Sequence, residues 1–491
     1  MHSNELKKVR DFEREKAKND MKDGRPVFHL TPLTGWMNDP NGFSFYKGQY
    51  HLFYQYYPFN TFWGTMHWGH AVSEDLLHWT YLPAALAPDH NYDAHGCFSG
   101  TAIAYDDKHL LMYTGVSKSH THSDKEVQMQ CIAIGDGVNY TKHSENPVLD
   151  TSSLPPGMSP YDFRDPKIWR SKEGDYFCVV SAKNEHQLGS LLLYRSPDCY
   201  TWRYEGILAE NDGSLGMMWE CPDLFELDGK SILLLSPMEM MPDGSEYGNG
   251  GGTVACIGRI DKDAVRFVRE HVHTIDYGLD FYAPQTVLAS DGRRIMVAWM
   301  QNWETYKAVY PKKNKWLGQM TLPRELTLKN GRLYQQPIRE LARYRSEKVD
   351  YKNVRLSGMQ QLEGISGRSA ELHVRLRTIP EKWLHCFRIC FAAGGKNFSS
   401  LTFRPQESLL TLDRSRSGIR AASMHQKDLK IDSWNGVLDL QIILDHYSAE
   451  IFVNGGEYVL SCLVQTELSA DEIVFEALGD ACMDITKYKL F

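Results

Sequence analysis

Among the acidic residues followed within two residues by a proline are Asp39 in Trp36-Met37-Asn38-Asp39-Pro40-Asn41-Gly42, Asp165 in Arg164-Asp165-Pro166, and Glu220 in Trp219-Glu220-Cys221-Pro222. Proline holds the residue before it in extended geometry, and a nearby glycine lets the chain bend past whatever the carboxylate faces. Taken alone, Asp-Pro-Asn-Gly reads equally well as a plain turn. The recurrence of the design points instead to acids brought to one place. Carboxylates that share a cavity cannot all ionise at low cost, so at least one pKa must rise. One acid that keeps a proton near neutrality, beside another that stays ionised, is the pair that glycoside hydrolysis requires.

Elements that could position these acids are visible as a repeat. A first unit runs from Asn38 through Phe43–Tyr46, turns at Lys47-Gly48 and returns as Tyr50–Tyr54. Units with the same plan open at Phe98-Ser99-Gly100, Arg164-Asp165-Pro166, Glu220-Cys221-Pro222-Asp223 and Asp280-Phe281-Tyr282-Ala283-Pro284. The openings recur about every sixty residues, a blade-sized period, and short strands joined by Gly-containing turns predict a five-bladed β-propeller. A run of β-sandwiches would not explain one shared opening per unit. If each opening begins an innermost strand, Asp39, Ser99, Asp165, Glu220 and Asp280 ring one mouth of the central channel. The fold class is therefore all-β, divided as a charged helical segment at 1–26, the propeller at 27–334, closing near Leu322–Leu326, a short helical connector at 335–349 and a β-sandwich at 350–491. Strict alternation at Leu372, Val374 and Leu376, and the hairpin turn at Val453-Asn454-Gly455-Gly456, support the last of these.

With 491 residues, 42% hydrophobic and 24% charged, the chain has room for two such domains. A net charge of −8 gives no reason to expect nucleic acid or an anionic membrane as partner. The stretch from Glu5 to Asp20 has no apolar core, so it reads as a solvated helix rather than a secretory signal, and no run is long enough to span a membrane. Ten scattered cysteines, Cys386 and Cys390 included, read as buried thiols in a reduced cytoplasm, and the sequons at Asn139 and Asn397 as chance matches. An Asp ring could also coordinate Ca²⁺. His67 and His70 fall on opposite faces of a strand, which disfavours shared metal ligation and leaves them as satisfied blade residues.

The motifs quoted above, with Phe98-Ser99-Gly100 and Asp280-Phe281-Tyr282-Ala283, resemble glycoside hydrolase family 32, the invertases, fructanases and sucrose-6-phosphate hydrolases, over nearly the whole chain. The resemblance implies a five-bladed propeller followed by a β-sandwich. It implies Asp39 as nucleophile, Glu220 as general acid/base and Asp165 as the acid that stabilises the transition state. Asn38, Gln55, Trp63, Phe98, Ser99, Arg164 and Trp303 match positions that shape a fructose pocket. Such an enzyme is a retaining β-fructofuranosidase, needs no metal or organic cofactor, and should hold its two principal carboxyl groups about 5–5.5 Å apart. Arg164, beside Asp165, should keep that acid ionised.

The substrate stays open between sucrose, sucrose-6-phosphate and fructo-oligosaccharides, with an exo-fructanase as the rival enzyme and a non-catalytic carbohydrate-binding propeller as the rival class. Lys307, Lys312, Lys313 and Lys315 could receive a phosphate or simply form a solvated basic loop. The sandwich carries no catalytic pattern. Its expected role is packing against the propeller, with homodimer contact as a further use.

Overall fold

A computed structural model describes residues 3–20, 24–119, 125–247, 251–306, 315–419 and 424–491. Lys307, Lys312 and Lys313 lie outside the described residues. Among the described residues, strands form five radial blades of antiparallel sheet and then a larger C-terminal sheet. The first strands of the blades are Gly35–Tyr46, Gly96–Tyr105, Met158–Arg170, Trp219–Leu227 and Tyr282–Leu288, and each pairs with the strand that follows it. The tight returns have the chemistry their geometry demands: Lys47 and Gly48 adopt φ of 48° and 81°, and Asp228 and Gly229 adopt 50° and 79°. Both central residues of such a hairpin turn need positive φ, which glycine supplies without steric cost.

The blades adhere through apolar side chains of neighbouring sheets. Leu110, Met112 and Ile132 of the second blade pack with Ile168, Cys178 and Val180 of the third. Trp316–Leu317 pairs in parallel with Gly35 and Trp36, while Arg324–Lys329 and Arg332–Pro337 complete the last blade. The connector is a 3-10 helix, Arg339–Tyr344, and the residues expected to flank it as helix are strand, up to Pro337 and again from Arg345.

In the C-terminal region, a 19-residue strand, Glu472–Leu490, passes from one layer of the sandwich to the other. Its first half pairs with Leu384–Gly394 and its second with Ala370–Thr378, so two packed layers form one hydrogen-bonded sheet. Leu372, Val374 and Leu376 point into the core between them, as their alternation predicts.

The N-terminal helix, Asn4–Asp20, is not solvated all round. It buries Leu6 and Val9, Arg10 Nε donates to Ala84 O at 3.0 Å and Ala84 N donates to Glu13 Oε2 at 3.0 Å. The charge density of the segment hides this narrow apolar stripe. Cys386 and Cys390 differ likewise: they are half-buried on the outer side of their strand, not in the core.

Candidate active site

Each inner strand carries one extra residue at its opening. The register slips between Met37 and Pro40, Phe98 and Gly100, Arg164 and Lys167, Glu220 and Asp223, and Tyr282 and Gln285. Such a bulge re-aims side chains out of the ladder. Proline follows in four of the five and gives up no N–H the sheet needed, and glycine follows in the fifth. Asp165, Cys221 and Ala283, each just ahead of a proline, adopt φ of 62°, 48° and 52° at this point rather than the extended geometry expected there. Left-handed backbone at non-glycine residues is strained by about 1–3 kcal/mol each, and here it turns neighbouring side chains toward the channel mouth.

The equivalent pairs are therefore Asn38-Asp39, Phe98-Ser99, Arg164-Asp165, Glu220-Cys221 and Tyr282-Ala283. Asp280 lies two residues ahead of its pair, Tyr282-Ala283, and is not in the ring. Its carboxylate faces away from the channel, accepting from Leu463 N at 2.7 Å and ion-pairing with Arg414 of the sandwich. Recurrence of acids at the openings suggested a fifth member, but the bulge register gives that place to Ala283.

The other expected residues meet around one cavity of about 410 Å³, lined by Asn38, Asp39, Gln55, Trp63, Phe98, Ser99, Arg164, Asp165, Glu220 and Trp303. Gln128, Tyr161, Asp162, Met238 and Tyr306 complete it. The channel below is plugged by polar bonds between blades: Lys167 Nζ donates to Asp223 Oδ2 at 2.9 Å, and Gln285 Nε2 to Gly100 O at 2.7 Å. The result is a cup, not a pore.

Ser99 Oγ donates to Asp39 Oδ2 at 2.9 Å, whereas Asp39 Oδ1 is buried with no hydrogen-bond partner. Burial pushes this carboxyl up to about 6, and the charge of Glu220 adds to the shift. Asn41 stands behind it. Oriented to match donors with acceptors, its amide nitrogen donates to Ser99 Oγ at 3.3 Å and its oxygen accepts from Gln55 N at 3.1 Å.

Asp165 Oδ2 accepts from the Cys221 backbone N–H at 3.0 Å. The Cys221 thiol lies 3.6 Å from Asp39 Oδ2 and 3.7 Å from Asp165 Oδ2, so one sulfur touches both acids. Glu220 Oε1 accepts from Arg164 Nη2 at 2.9 Å, and Glu220 Oε2 from the Tyr282 hydroxyl at 2.6 Å. The Tyr282 phenol is held far above its ordinary pKa, by burial first and then by Glu220, so it acts here as a neutral donor.

Arg164 does not do what its place in the chain suggests. Its nearest approach to Asp165 is 4.0 Å, while its guanidinium bonds Glu220 at 2.9 Å and Asp162 and Gln128 at 3.3 Å. Asp165 is consequently raised, by burial that outweighs the counter-charge of Arg164. A bulge between adjacent residues sends their side chains to different partners, so adjacency in sequence is a poor guide to ion pairing.

Tyr282, Cys221 and Asn41 are among the site residues that motif reading left without a role, with Gln128, Tyr161, Asp162, Met238 and Tyr306. The first two could have been found by aligning the five openings on their Pro or Gly.

Comparison with known proteins is consistent along the whole length. The model of the glycosyl hydrolases family 32 N-terminal domain matches residues 29–337, and that of the family 32 C-terminal domain matches 340–488. A raffinose invertase of Escherichia coli is 35% identical over 471 residues, covering 93% of each chain. A sucrose-6-phosphate hydrolase of Bacillus subtilis is 34% identical over 496 residues, 99% of this chain and 98% of that one. Among solved structures, a Bombyx mori GH32 beta-fructofuranosidase superposes with a TM-score of 0.85 at 32% identity, covering 99% of both chains.

Proposed function

This chain belongs to glycosyl hydrolase family 32 and is a glycoside hydrolase of the β-fructofuranosidase type, and on that premise we propose how its residues divide the work. Asp39 attacks the anomeric carbon of a terminal β-D-fructofuranosyl group while Glu220 protonates the departing glycosyl oxygen. The C–O bond to the leaving group breaks as the bond to Asp39 forms, giving a covalent fructosyl-enzyme. Glu220, now a carboxylate, takes a proton from water, whose oxygen displaces Asp39 with retained configuration. Asp165 binds sugar hydroxyls and faces the positive charge that develops at the ring.

The observation that carries this reading is that Asp39, Asp165 and Glu220, far apart in the chain, line one cup, with Ser99 Oγ fixing an oxygen of Asp39 at 2.9 Å. A nucleophile held this way loses little freedom on attack. Arg164 and Tyr282 support the Glu220 role, because they orient both its oxygens and anchor a base after proton transfer. Trp63, which is 43% exposed at the rim, offers a sugar a flat apolar face.

The substrate in this reading is sucrose or its 6-phosphate. Among the described residues that line the cup, the cation is Arg164, which Glu220 already holds. The similar proteins include one named a raffinose invertase and one named a sucrose-6-phosphate hydrolase, and relative kcat/KM for sucrose, sucrose-6-phosphate and inulin separates the hydrolase readings. Among the described residues, no helix is long and apolar enough to cross a membrane. All ten cysteines are free thiols, which supports work in a reducing cytoplasm.

Asp39→Ala should abolish fructose release from sucrose, and Glu220→Gln should lower kcat by about 10²–10⁴-fold. With methanol as acceptor, retention yields methyl β-D-fructofuranoside. The α-anomer as first product would overturn the covalent step, and full activity in Asp39→Ala would overturn the site.

A further inference from the structure

The acid that the channel ring excludes has another use. Asp280 is fully buried where the propeller meets the sandwich. The chain ahead of it runs along the sandwich strand Tyr458–Leu463: Tyr277 N donates to Val459 O at 2.7 Å, Leu279 N to Ser461 O at 2.8 Å and Asp280 N to Ser461 O at 3.1 Å. A Cβ on Gly278 would fall 2.1 Å from Ser461 backbone atoms, so the approach is as close as glycine permits. Asp280 Oδ2 then receives Leu463 N and the Arg414 guanidinium, both from the sandwich. Its other oxygen, Oδ1, accepts from Thr305 Oγ1 at 3.1 Å, back in the propeller.

Thr305 belongs to the turn Asn302–Tyr306, which closes on its first residue: Asn302 Oδ1 accepts from Glu304 N at 2.9 Å and from Thr305 N at 2.9 Å, and lies 3.0 Å from Thr305 Oγ1, whose one proton it shares with Asp280 Oδ1. Asn302 Nδ2 donates to Leu279 O, the residue before Asp280. The turn presents Trp303 and Tyr306 to the cup. Both rings pack on Trp36, with centroids 6.2 Å and 5.3 Å away. Gln301, one residue upstream, leaves both polar atoms of its buried amide unbonded, so it does not fix the turn. Arg414 Nε and Nη2 are also buried without partners, and its ion pair is with Asp280.

We propose that Asp280 is a positioning residue through which the sandwich domain sets the aromatic wall of the cup, by way of Arg414, Thr305 and the Trp303–Tyr306 turn. The sandwich then supports turnover by fixing where two substrate-facing rings stand, besides covering apolar surface. This rests on the reading of the cup as a fructoside-hydrolysing site. If the wild-type enzyme fails to hydrolyse sucrose, that reading falls; the comparisons below are made on an active enzyme.

Removing Asp280 would leave Arg414 buried and uncompensated, so the test starts at the other end of the relay. Thr305→Val keeps the shape and deletes the donor, and Thr305→Ser restores it. Thr305→Val should raise KM for sucrose and lower kcat/KM by about tenfold, with a modest loss of Tm, and Thr305→Ser should restore both to near wild type. In a Trp303→Ala background the same substitution should change kcat/KM less than about twofold, because the wall it positions is already gone. Arg414→Lys should give the KM effect in weaker form. Wild-type kinetics in Thr305→Val, an equal loss with Trp303 absent, or an Arg414→Lys enzyme that loses Tm with KM intact would each overturn the relay.

Discussion

Asp39 is a working group kept at a cost to the fold. Its carboxyl is buried and held up to about 6, against an ordinary value of 3.8. Below pH 3.8 both the folded and unfolded chains carry the proton. Between there and about 6 the unfolded chain releases it while the folded chain keeps it, so stability falls as pH rises through that window. Above it the loss is complete, at most about 3 kcal/mol. Asp39→Asn cannot ionise. Its Tm advantage over wild type should therefore grow between pH 4 and 6 and level off above, while fructose release is lost. A Tm difference that is flat across that range would show that Asp39 is not raised. The same group sets an expected acid limb for turnover: kcat/KM should fall below about pH 6, as protonated Asp39 ceases to be a nucleophile.

At the scale of the strand, the site is made by bulges, and the bulges depend on how closely one strand can lie on the next. A Cβ on Gly100 would fall 2.1 Å from Met112 O and 2.7 Å from Tyr113 Cα. Both are backbone atoms of the partner strand, so nothing flexible can yield. Gly100→Ala should push Gly96–Tyr105 off its neighbour, destabilise the enzyme by about 1–3 kcal/mol and draw Ser99 away from Asp39. Its kcat should fall more than its remaining folded fraction accounts for. An Ala variant with wild-type Tm and kcat would mean that the strand spacing does not hold the serine.

These openings also mark what was legible in the chain. Period, turns and X-Pro pairs expose five inner strands, and the cup lined by Asp39, Asp165 and Glu220 follows from strand direction alone. Asp280 and Arg164 misled for one reason: a single extra residue per strand shifts which neighbour faces the channel, and motif composition does not encode that shift. Aligned on the bulge, Tyr282 and Cys221 stand in register with Arg164 and Asp165, and their contacts with Glu220 and the two aspartates become expected.

The two domains are joined by buried charge as well as apolar packing, and nothing local in the sequence announces that pairing, since its partners lie hundreds of residues apart. His29, ahead of the first blade, is fully buried between two sandwich carboxylates, with Nδ1 2.8 Å from Asp445 and Nε2 2.9 Å from Glu450. Arg324 of the last blade shares Glu450 and bonds Asp276 at 2.9 Å. Burial works against a charge on His29, but its bonds to Asp445 and Glu450 outweigh that and hold it charged up to about 9. A raised histidine contributes stability that is whole below its unfolded value of 6.5 and is lost as pH rises through its folded value. The difference in Tm between wild type and His29→Gln should thus be constant below pH 6.5, shrink between 6.5 and 9 and level off above, as a contribution of about 3 kcal/mol disappears. Tyrosines, lysines and cysteines also titrate in alkali, but they are common to both proteins and cancel in the difference. Loss of the clamp frees the N-terminal segment from the sandwich, so alkaline wild type should also show faster amide exchange at Val27 and Phe28, whose N–H groups donate to Asp445 at 2.8 and 3.1 Å. Protection that follows only the intrinsic rate of exchange from pH 7 to 9 would mean that the histidine does not carry the charge that joins the domains.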